Sequence, residues 1–314
     1  MALTAEQYEA ALAALTRTNP NRAGAPVYAP EIRDYLKLTT MSTMELTAGG
    51  HVFKVYRFEA PDMEPGAPLF VNIHGGGWYK GHLDNDYYHS SWLAAQIRGV
   101  VLSVDYTTSR YAAFDVMFAQ CCAAVAWAFE HAQELGCDPA RISVGGYSAG
   151  GHLTAGAALW AANEGGLKLH RQIIAYGPVD FGDPAGGEVV QTEGPVASGA
   201  RGQAFNDLLF RREARYLADP YANPLHAPDE MVAKVCPALI ITADRCNFTT
   251  QDNLYANRIA MQHIDVTTRH FAGTPHGFIP HFGPCWREAS ELMVREITAR
   301  PAAEEEPAEG RMHE

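Results

Sequence analysis

Short apolar runs alternate with longer segments of helical periodicity along most of this chain. Seven runs have the length and the β-branched or aromatic content of strands. These are His51–Phe58, Pro68–His74, Val100–Asp105, Arg141–Gly145, Gln172–Tyr176, Ala238–Thr242 and Val266–Phe271. The predicted helices are Phe114–Leu135, Ala149–Ala162, Gln251–Gln262 and Arg287–Ala299. Near-continuous apolar strands that alternate with helices predict an α/β fold: a mostly parallel sheet with helices on both faces.

Two regions depart from this alternation. The segment Thr4–Gln7 is typical of a capping box and predicts an Ala-rich helix through Leu15. Within residues 178–236, a stretch rich in Gly, Pro and Ala over 183–202 precedes an amphipathic segment around Ala204–Tyr216. We therefore expect an insertion in the second half of the chain, where the strand and helix pattern is interrupted.

A chain of 314 residues is compatible with a single α/β domain. We expect an N-terminal helical segment over residues 1–40 and a body over 41–300 that contains the insertion at about 178–236. Residues 301–314 carry five glutamates against one arginine and have little to bury. This acidic tail is predicted to be disordered.

The charge of the chain limits its partners. It has 36 acidic and 24 basic residues, a formal net charge of −12, which disfavours nucleic acid and anionic membranes as partners. No stretch reaches the roughly 20 uninterrupted apolar residues that a membrane span requires. The N-terminus lacks the basic and apolar regions of a signal peptide.

The six cysteines show no spacing typical of a disulfide framework, and two of them are adjacent. They are Cys121, Cys122, Cys137, Cys236, Cys246 and Cys285. Free thiols indicate a reducing compartment, so we expect a cytoplasmic protein. No Cys-x-x-Cys or His-x-x-x-His pair suggests a metal site, and no metal or other cofactor is expected.

The segment Gly146-Tyr147-Ser148-Ala149-Gly150 follows an apolar run and precedes a predicted helix. A nucleophilic serine on a sharp strand-to-helix turn needs very small residues two positions before and after it. The helix that follows also directs its first N–H groups toward the position where negative charge develops in acyl transfer. The pentapeptide alone is a moderate signal, because glycine and serine are common in loops.

Two further segments supply what a nucleophilic serine requires. His74-Gly75-Gly76-Gly77-Trp78 follows a predicted strand, and its glycine N–H groups suit an oxyanion hole, although a flexible glycine turn is the simpler alternative. His276 lies in a turn after the last predicted strand, where a general base is expected. The order Ser148, acid, His276 is that of α/β-hydrolases.

Together, His74–Trp78, Gly146–Gly151 and Phe271–Phe278 resemble the hormone-sensitive-lipase-like (HGGGW) family of α/β-hydrolase esterases. The resemblance extends from about Phe53 to the predicted helix that ends at Ala299. It implies an α/β-hydrolase fold with a helical cap formed by residues 1–40 and by the insertion, although the N-terminal helix docked elsewhere on the body is an alternative. The resemblance is also compatible with a homodimer.

The acid of the triad departs from the family. The family's aspartate position corresponds to Cys246, and a thiol is a poor group for orienting a histidine. We expect Asp244, two residues earlier, to take this role, unless it caps a turn or pairs with Arg245. Asp252 is better suited to the N-terminus of the following helix. Complete loss of the acid is a further alternative.

The resemblance also implies the remaining site residues. The oxyanion hole is formed by the N–H groups of Gly76, Gly77 and Ala149. The predicted substrate pocket contains residues near the two glycine motifs and the base: His74, Gly75, Trp78, Tyr147 and Phe278. Tyr147 replaces the family's usual aspartate, and its ring either lines the pocket or packs against the loop. Trp78 and Phe278 fit either a pocket or the core, and Thr107–Tyr111 replaces the family's Arg-Leu-Ala-Pro-Glu.

These residues predict a serine carboxylic-ester hydrolase that acts on small-molecule esters with short acyl groups, by way of an acyl-enzyme. Two alternatives stay open. An arylformamidase-type amide hydrolase uses the same serine and histidine. A pseudo-hydrolase that lost its acid would keep the fold as a binding protein.

Overall fold

All seven predicted strands are present in the computed structural model, which describes residues 4–16, 28–182, 200–211 and 213–300. The sheet also contains an eighth strand. The strands are β1 (Thr40–Ala48), β2 (His51–Glu59), β3 (Ala67–Ile73), β4 (Val100–Asp105), β5 (Cys137–Tyr147), β6 (Arg171–Ala175), β7 (Ala238–Arg245) and β8 (Val266–Pro275). The predicted tail over 301–314 and residues 183–199 of the insertion lie outside the described residues.

The eight strands form one sheet in the order β1-β2-β4-β3-β5-β6-β7-β8. The strands β1, β2 and β4 pair antiparallel, and all other neighbours are parallel. The parallel strands are therefore the centre of the sheet, and β5 lies between β3 and β6. Because the carboxyl ends of parallel strands meet at one edge, the loops after β3, β5, β7 and β8 lie on the same side of the sheet.

Helices cover both faces of this sheet. They are α1 (Ala5–Thr16), α2 (Pro30–Arg33), α3 (Asp84–Ile97), α4 (Phe114–His131), α5 (Ala149–Asn163), α6 (Ala200–Phe210), α7 (Asp229–Val232), α8 (Thr249–Met261) and α9 (Trp286–Thr298). Helices α4, α5 and α8 pack on one face of the sheet, where they contact every second side chain of the strands. Helices α3 and α9 pack on the opposite face. The predicted α/β fold is confirmed, and no helix of the described residues is long and apolar enough to cross a membrane.

The sequence pattern did not predict α3, because this helix buries polar side chains. Its residues Asp86, His89 and Ser90 are nearly inaccessible to solvent. The His89 ring bonds at Nε2 to the Ser290 hydroxyl, at 2.9 Å, and at Nδ1 to the Tyr147 hydroxyl, at 2.9 Å. Polar side chains that form hydrogen bonds with one another can be buried. Helix α3 therefore lacks the apolar stripe from which a buried helix is predicted. Strand β1 was also not predicted, because most of its residues are exposed at the sheet edge.

The predicted N-terminal helix is present as α1, and it packs against α6. Tyr8 and Ala11 of α1 form a small apolar cluster with Ala204 and Leu208 of α6. The Arg211 guanidinium at the end of α6 lies over the Tyr8 ring, 5.1 Å from its centre. The contact between the two helices thus joins the N-terminal segment to the second half of the insertion.

Buried histidines make the stability of this fold sensitive to acid. Burial lowers the pKa of His89 to about 3 and that of His152, on α5, to about 4. Histidine in the unfolded chain binds a proton near pH 6.5, so below that pH the unfolded state holds more protons than the native state. The contribution of these histidines to the free energy of unfolding should therefore fall as pH decreases from about 6.5 toward 4. Urea unfolding at a series of pH values measures this decrease.

The variant His89→Gln is the matched control, because glutamine can bond to Ser290 and Tyr147 but does not titrate. Its free energy of unfolding should fall less steeply between pH 6.5 and 4 than that of the wild type. An equal slope in the two proteins would show that His89 is not a source of the acid sensitivity.

Candidate active site

Ser148 stands on a sharp turn between β5 and α5. Its backbone has φ 55° and ψ −120°, a conformation that a residue with a side chain rarely adopts. Its N–H donates to the Ala175 carbonyl at 2.9 Å, which fixes the turn against the neighbouring strand. The strained turn lifts the hydroxyl above the carboxyl end of the sheet, where it remains half-buried.

The glycines on either side of Ser148 are required by backbone crowding. A Cβ at Gly146 would lie 2.5 Å from the carbonyl oxygens of Gly150 and Ile73, and one at Gly150 would lie 2.0 Å from the Ile73 oxygen. No side chain fits at either position. The spacing of the Gly-x-Ser-x-Gly segment therefore follows from the contact among β3, β5 and the first turn of α5.

The base predicted from the sequence lies next to this serine. His276 follows β8, and its Nε2 is 2.8 Å from the Ser148 Oγ. Two aromatic rings pack edge-on against the imidazole, Tyr176 at 5.0 Å and Phe248 at 5.6 Å between ring centres. When Nε2 is unprotonated, it can accept the serine proton at this distance.

Cys246 occupies the position at the other imidazole nitrogen. Its Sγ is 3.1 Å from the His276 Nδ1, and the residue is buried at the end of β7. Burial raises the pKa of this thiol, and the nearby Asp252 carboxyl raises it further. The thiol is therefore neutral at physiological pH. In the Nδ1-protonated tautomer, sulfur accepts the hydrogen bond that a carboxylate accepts in a serine–histidine–aspartate triad.

The structure does not place Asp244 at His276, in contrast to the sequence-based expectation. The Asp244 side chain is half exposed; it accepts a hydrogen bond from the Gly273 N–H at 3.2 Å, and its other oxygen is 3.8 Å from the His270 Nε2. A register irregularity between β7 and β8 occurs at Ala243 and Arg245. The carboxylate is consequently directed toward the β8 partner strand, and the next inward-facing side chain is that of Cys246.

The glycine loop after β3 lies against the nucleophile. A Cβ at Gly75 would come within 2.9 Å of the Tyr147 oxygen and 3.5 Å of the Ser148 Cβ. Gly76 and Gly77 have φ values of 118° and 61°, which glycine adopts without strain. In the described part of the chain neither of their N–H groups donates a hydrogen bond. The Ala149 N–H, at the start of α5, has no acceptor within its helix.

His74 supports this loop from beneath. Its ring is fully buried and stacks on Tyr106 with 4.3 Å between ring centres and 6° between planes. The Tyr106 hydroxyl donates to the His74 carbonyl at 3.3 Å. His74 Nε2 is 3.9 Å from a carboxylate oxygen of Asp105. These contacts position the backbone of the loop, and the imidazole itself does not reach the substrate side.

The three aromatic residues predicted near the pocket are buried, which favours packing over substrate contact. Trp78 donates from Nε1 to the His152 Nδ1 at 3.2 Å. Tyr147 is directed away from Ser148, toward His89. Phe278 packs on Tyr176 and Phe271, with ring centres 5.6 and 5.4 Å apart. Of the predicted pocket residues, only Gly75 is directly beside the nucleophile.

Sequence reasoning did not single out Tyr176. It follows β6 with a φ of 42°, its ring contacts the His276 imidazole, and its hydroxyl accepts a hydrogen bond from the Ile279 N–H at 3.3 Å. A tyrosine at the end of an apolar strand gives no signal of this role. In the part of the chain that the structure describes, no group of three or more His, Cys, Asp or Glu side chains is arranged to hold a metal ion.

Comparisons with known proteins agree with the fold described above. Residues 70–280 match the model of a protein family whose description is alpha/beta hydrolase fold. An arylesterase of Saccharolobus solfataricus is 27% identical over 231 residues, which cover 71% of this chain and 72% of that protein. The carboxylic ester hydrolase LipN of Mycobacterium tuberculosis is 32% identical over 235 residues, 68% of this chain and 58% of that protein.

A solved structure gives the same result for the fold. Carboxyl esterase 2 of the mycorrhizal fungus Tuber melanosporum superposes with a TM-score of 0.75 at 24% identity, covering 93% of this chain and 97% of the other. At this identity the likeness establishes the shared fold and leaves the chemistry to the residues of the site.

The positions of Asp244 and Cys246 generate a prediction about activity. Asp244→Asn should leave kcat within about threefold of the wild type, because the lost pair with His270 is exposed to solvent. Cys246→Ala should lower kcat on the order of tenfold or more, because it removes the acceptor at the His276 Nδ1. Steady-state rates of the two purified variants make the comparison, and the reverse order of effects would restore Asp244 as the orienting acid.

Proposed function

The chain belongs to the α/β-hydrolase fold family, and on this premise we propose that it is a serine carboxylesterase. Its substrates are small-molecule esters with short acyl groups, and the reaction proceeds through an acyl-enzyme on Ser148. The observation that carries this proposal is the 2.8 Å contact between the Ser148 Oγ and the His276 Nε2 at a strained strand-to-helix turn. The esterase names of the relatives agree with it.

In the proposed mechanism, the Ser148 Oγ attacks the ester carbonyl carbon while His276 Nε2 takes the serine proton. The N–H groups of Gly76, Gly77 and Ala149 bind the carbonyl oxygen as it becomes negative. Each such donor is worth about 3 kcal/mol of transition-state stabilisation. The imidazolium then gives its proton to the leaving alkoxide, and the C–O bond to the alcohol breaks.

Water completes the reaction. His276, neutral again, removes a proton from a water molecule that attacks the acyl carbon, and collapse of the second tetrahedral intermediate returns the proton to Ser148. Both steps need a proton on His276 Nδ1 and a free Nε2 at the start. The group at Nδ1 therefore sets the fraction of enzyme that is ready to react.

Aromatic packing beside the glycine loop supports a preference for short acyl groups. Trp78 and Phe210 both contact Phe181, with ring centres 5.9 and 4.9 Å apart. His152 lies 4.8 Å from the same ring and accepts the Trp78 N–H. These rings pack together between α5 and α6, and we propose that this packing leaves room only for a short acyl group beside the glycine loop.

We also propose that the protein acts in the cytoplasm without nucleic acid as a partner. All six cysteines are free thiols, as expected in a reducing compartment. The net charge of −12 opposes binding to polyanions.

Hydrolysis of p-nitrophenyl acetate tests the proposed activity, with Ser148→Ala as the matched control. We expect turnover by the wild type and a loss on the order of 10³-fold or more in the variant. Stoichiometric labelling of Ser148 by a fluorophosphonate, seen in the intact mass, should accompany it. No turnover together with no labelling would contradict the proposal and favour a pseudo-hydrolase, whereas a clear preference for N-formylkynurenine would assign an amide hydrolase.

A carboxylate at the position of Cys246 should strengthen the site. In Cys246→Asp the new side chain is charged and can accept the Nδ1–H, so it stabilises the imidazolium that forms during attack. We expect kcat to rise on the order of tenfold with little change in KM. Cys246→Asn is the control, because it has similar size without charge and should give no such increase. If kcat of Cys246→Asp is equal to or lower than that of the wild type, the neutral thiol at His276 does not limit the rate of the reaction.

A further inference from the structure

A cavity of about 370 Å³ lies where the start of α1, the loop after β4 and the end of α6 meet. The larger side chains that line it are Tyr8, Glu9, Arg110, Tyr111 and Arg211. Its volume is within the range of about 300–1,000 Å³ that is typical of sites for small molecules. None of the lining residues belongs to the site around Ser148 and His276.

Two arginines give this cavity a positive charge, although the chain as a whole carries a net charge of −12. Arg110 is exposed, and its guanidinium forms no hydrogen bond or ion pair with any residue that the structure describes. Arg211 is half-buried and donates from Nη2 to the carbonyls of Ser109 and Ala112. Within the described part of the chain its Nε and Nη1 have no acceptor. Arginine forks of this kind can hold both oxygens of a carboxylate.

A buried hydroxyl group of the same wall also lacks an acceptor. Tyr8 is 8% exposed, and among the described residues neither its hydroxyl nor that of the nearby Ser109 has a hydrogen-bond partner. Burial raises the pKa of Tyr8 more than Ser109 and the two arginines lower it, so the hydroxyl stays protonated and can donate. A buried donor without an acceptor destabilises the fold, and an oxygen atom of a bound ligand would offset this cost.

Two tyrosine rings provide an apolar surface beside these polar groups. Tyr111 is 70% exposed, and the Arg110 guanidinium lies 6.0 Å from its ring centre. The Arg211 guanidinium covers the Tyr8 ring at 5.1 Å. The exposed Glu9 also lines the cavity, but in the described structure it forms an ion pair with neither arginine. The cavity thus combines cationic donors with flat aromatic surfaces.

We propose that this cavity binds a small-molecule carboxylate with an aromatic body. The carboxylate lies between the guanidinium groups of Arg110 and Arg211, and the Tyr8 hydroxyl also donates to it. The aromatic ring of the ligand packs against Tyr111. Glu9 lowers the affinity for an anion without abolishing binding, because solvent screens its exposed charge. The inference goes beyond the proposed esterase function and does not depend on it.

The cavity is adjacent to the active site without being part of it. The Ser109 N–H donates to the Trp78 carbonyl at 2.7 Å, so the loop after β4 packs against the end of the glycine segment. Tyr79, the next residue along the chain, packs on the apolar cluster between α1 and α6. The lining residues include neither Ser148 nor His276. Binding in the cavity is therefore measurable without turnover.

Isothermal titration with benzoate tests the proposal, with benzamide as an uncharged control of the same shape. We expect saturable binding of benzoate and about tenfold weaker binding of benzamide, because hydrogen bonds to a charged acceptor are about twice as strong as neutral ones. Arg110→Gln should weaken the binding of benzoate about tenfold. The control Arg269→Gln removes an exposed charge on β8, outside the cavity, and should change the affinity less than about twofold.

Two further substitutions separate the proposed contacts from a general effect of charge. Glu9→Gln should strengthen the binding of benzoate about threefold, because it removes a like charge. Tyr8→Phe should weaken it about threefold without lowering the melting temperature, because phenylalanine keeps the ring and removes a buried hydroxyl group that has no acceptor. The absence of saturable binding at about 10 mM benzoate, equal affinity for benzamide, or unchanged affinity in Arg110→Gln would each overturn the proposal.

Amide chemical shifts show where benzoate binds. In ¹H–¹⁵N spectra we expect the largest changes at residues 4–9 and at Arg110 and Tyr111, and Arg110→Gln should remove these changes. Changes centred instead on Gly76, Ser148 and the turn after β8 would place benzoate in the catalytic cleft. That result would contradict the proposal, whether or not the protein cleaves an ester.

Discussion

The close approach of three backbone segments determines the rest of this site. The end of β3, the turn at Ser148 and the first residues of α5 lie so near one another that a Cβ at Gly150 would stand 2.0 Å from the Ile73 oxygen. This contact forces the serine into its strained conformation, and it places the glycine loop beside the hydroxyl. Base, thiol and aromatic packing are arranged around a position that backbone sterics have already fixed.

The fold was largely predictable because its centre is built from apolar strands. The parallel strands β3 to β7 are largely buried and rich in apolar residues. The pattern of apolar positions failed to predict one helix whose buried residues are polar and one strand whose residues are mostly exposed. Helix α3 buries histidine, serine and aspartate in a hydrogen-bonded network, and β1 is an edge strand with most residues exposed. Neither has the apolar periodicity on which sequence reasoning depends.

The site was predictable to the extent that backbone geometry dictates residue type. Ser148 and His276 follow from motifs in which glycine or a turn is required, and the structure brings them within hydrogen-bond distance. The match to the family already put Cys246 at the position of the acid, and the expectation of Asp244 was wrong because a local irregularity between β7 and β8 turns Asp244 away from His276. Chemical type favoured the aspartate, whereas strand geometry favours the cysteine.

The contact between α1 and α6 has a consequence for how the molecule opens. Among the described residues, α1 packs through a small apolar cluster with α6, whereas α6 is also part of the main core through Leu209 and Phe210. A helix with so small a share of the core as α1 can detach by local unfolding at a free energy well below that of global unfolding. Amide hydrogens of α1 then exchange while those of β3 and β5 stay protected. The population of opened molecules is therefore set by α1 and is independent of the rigid turn that carries Ser148.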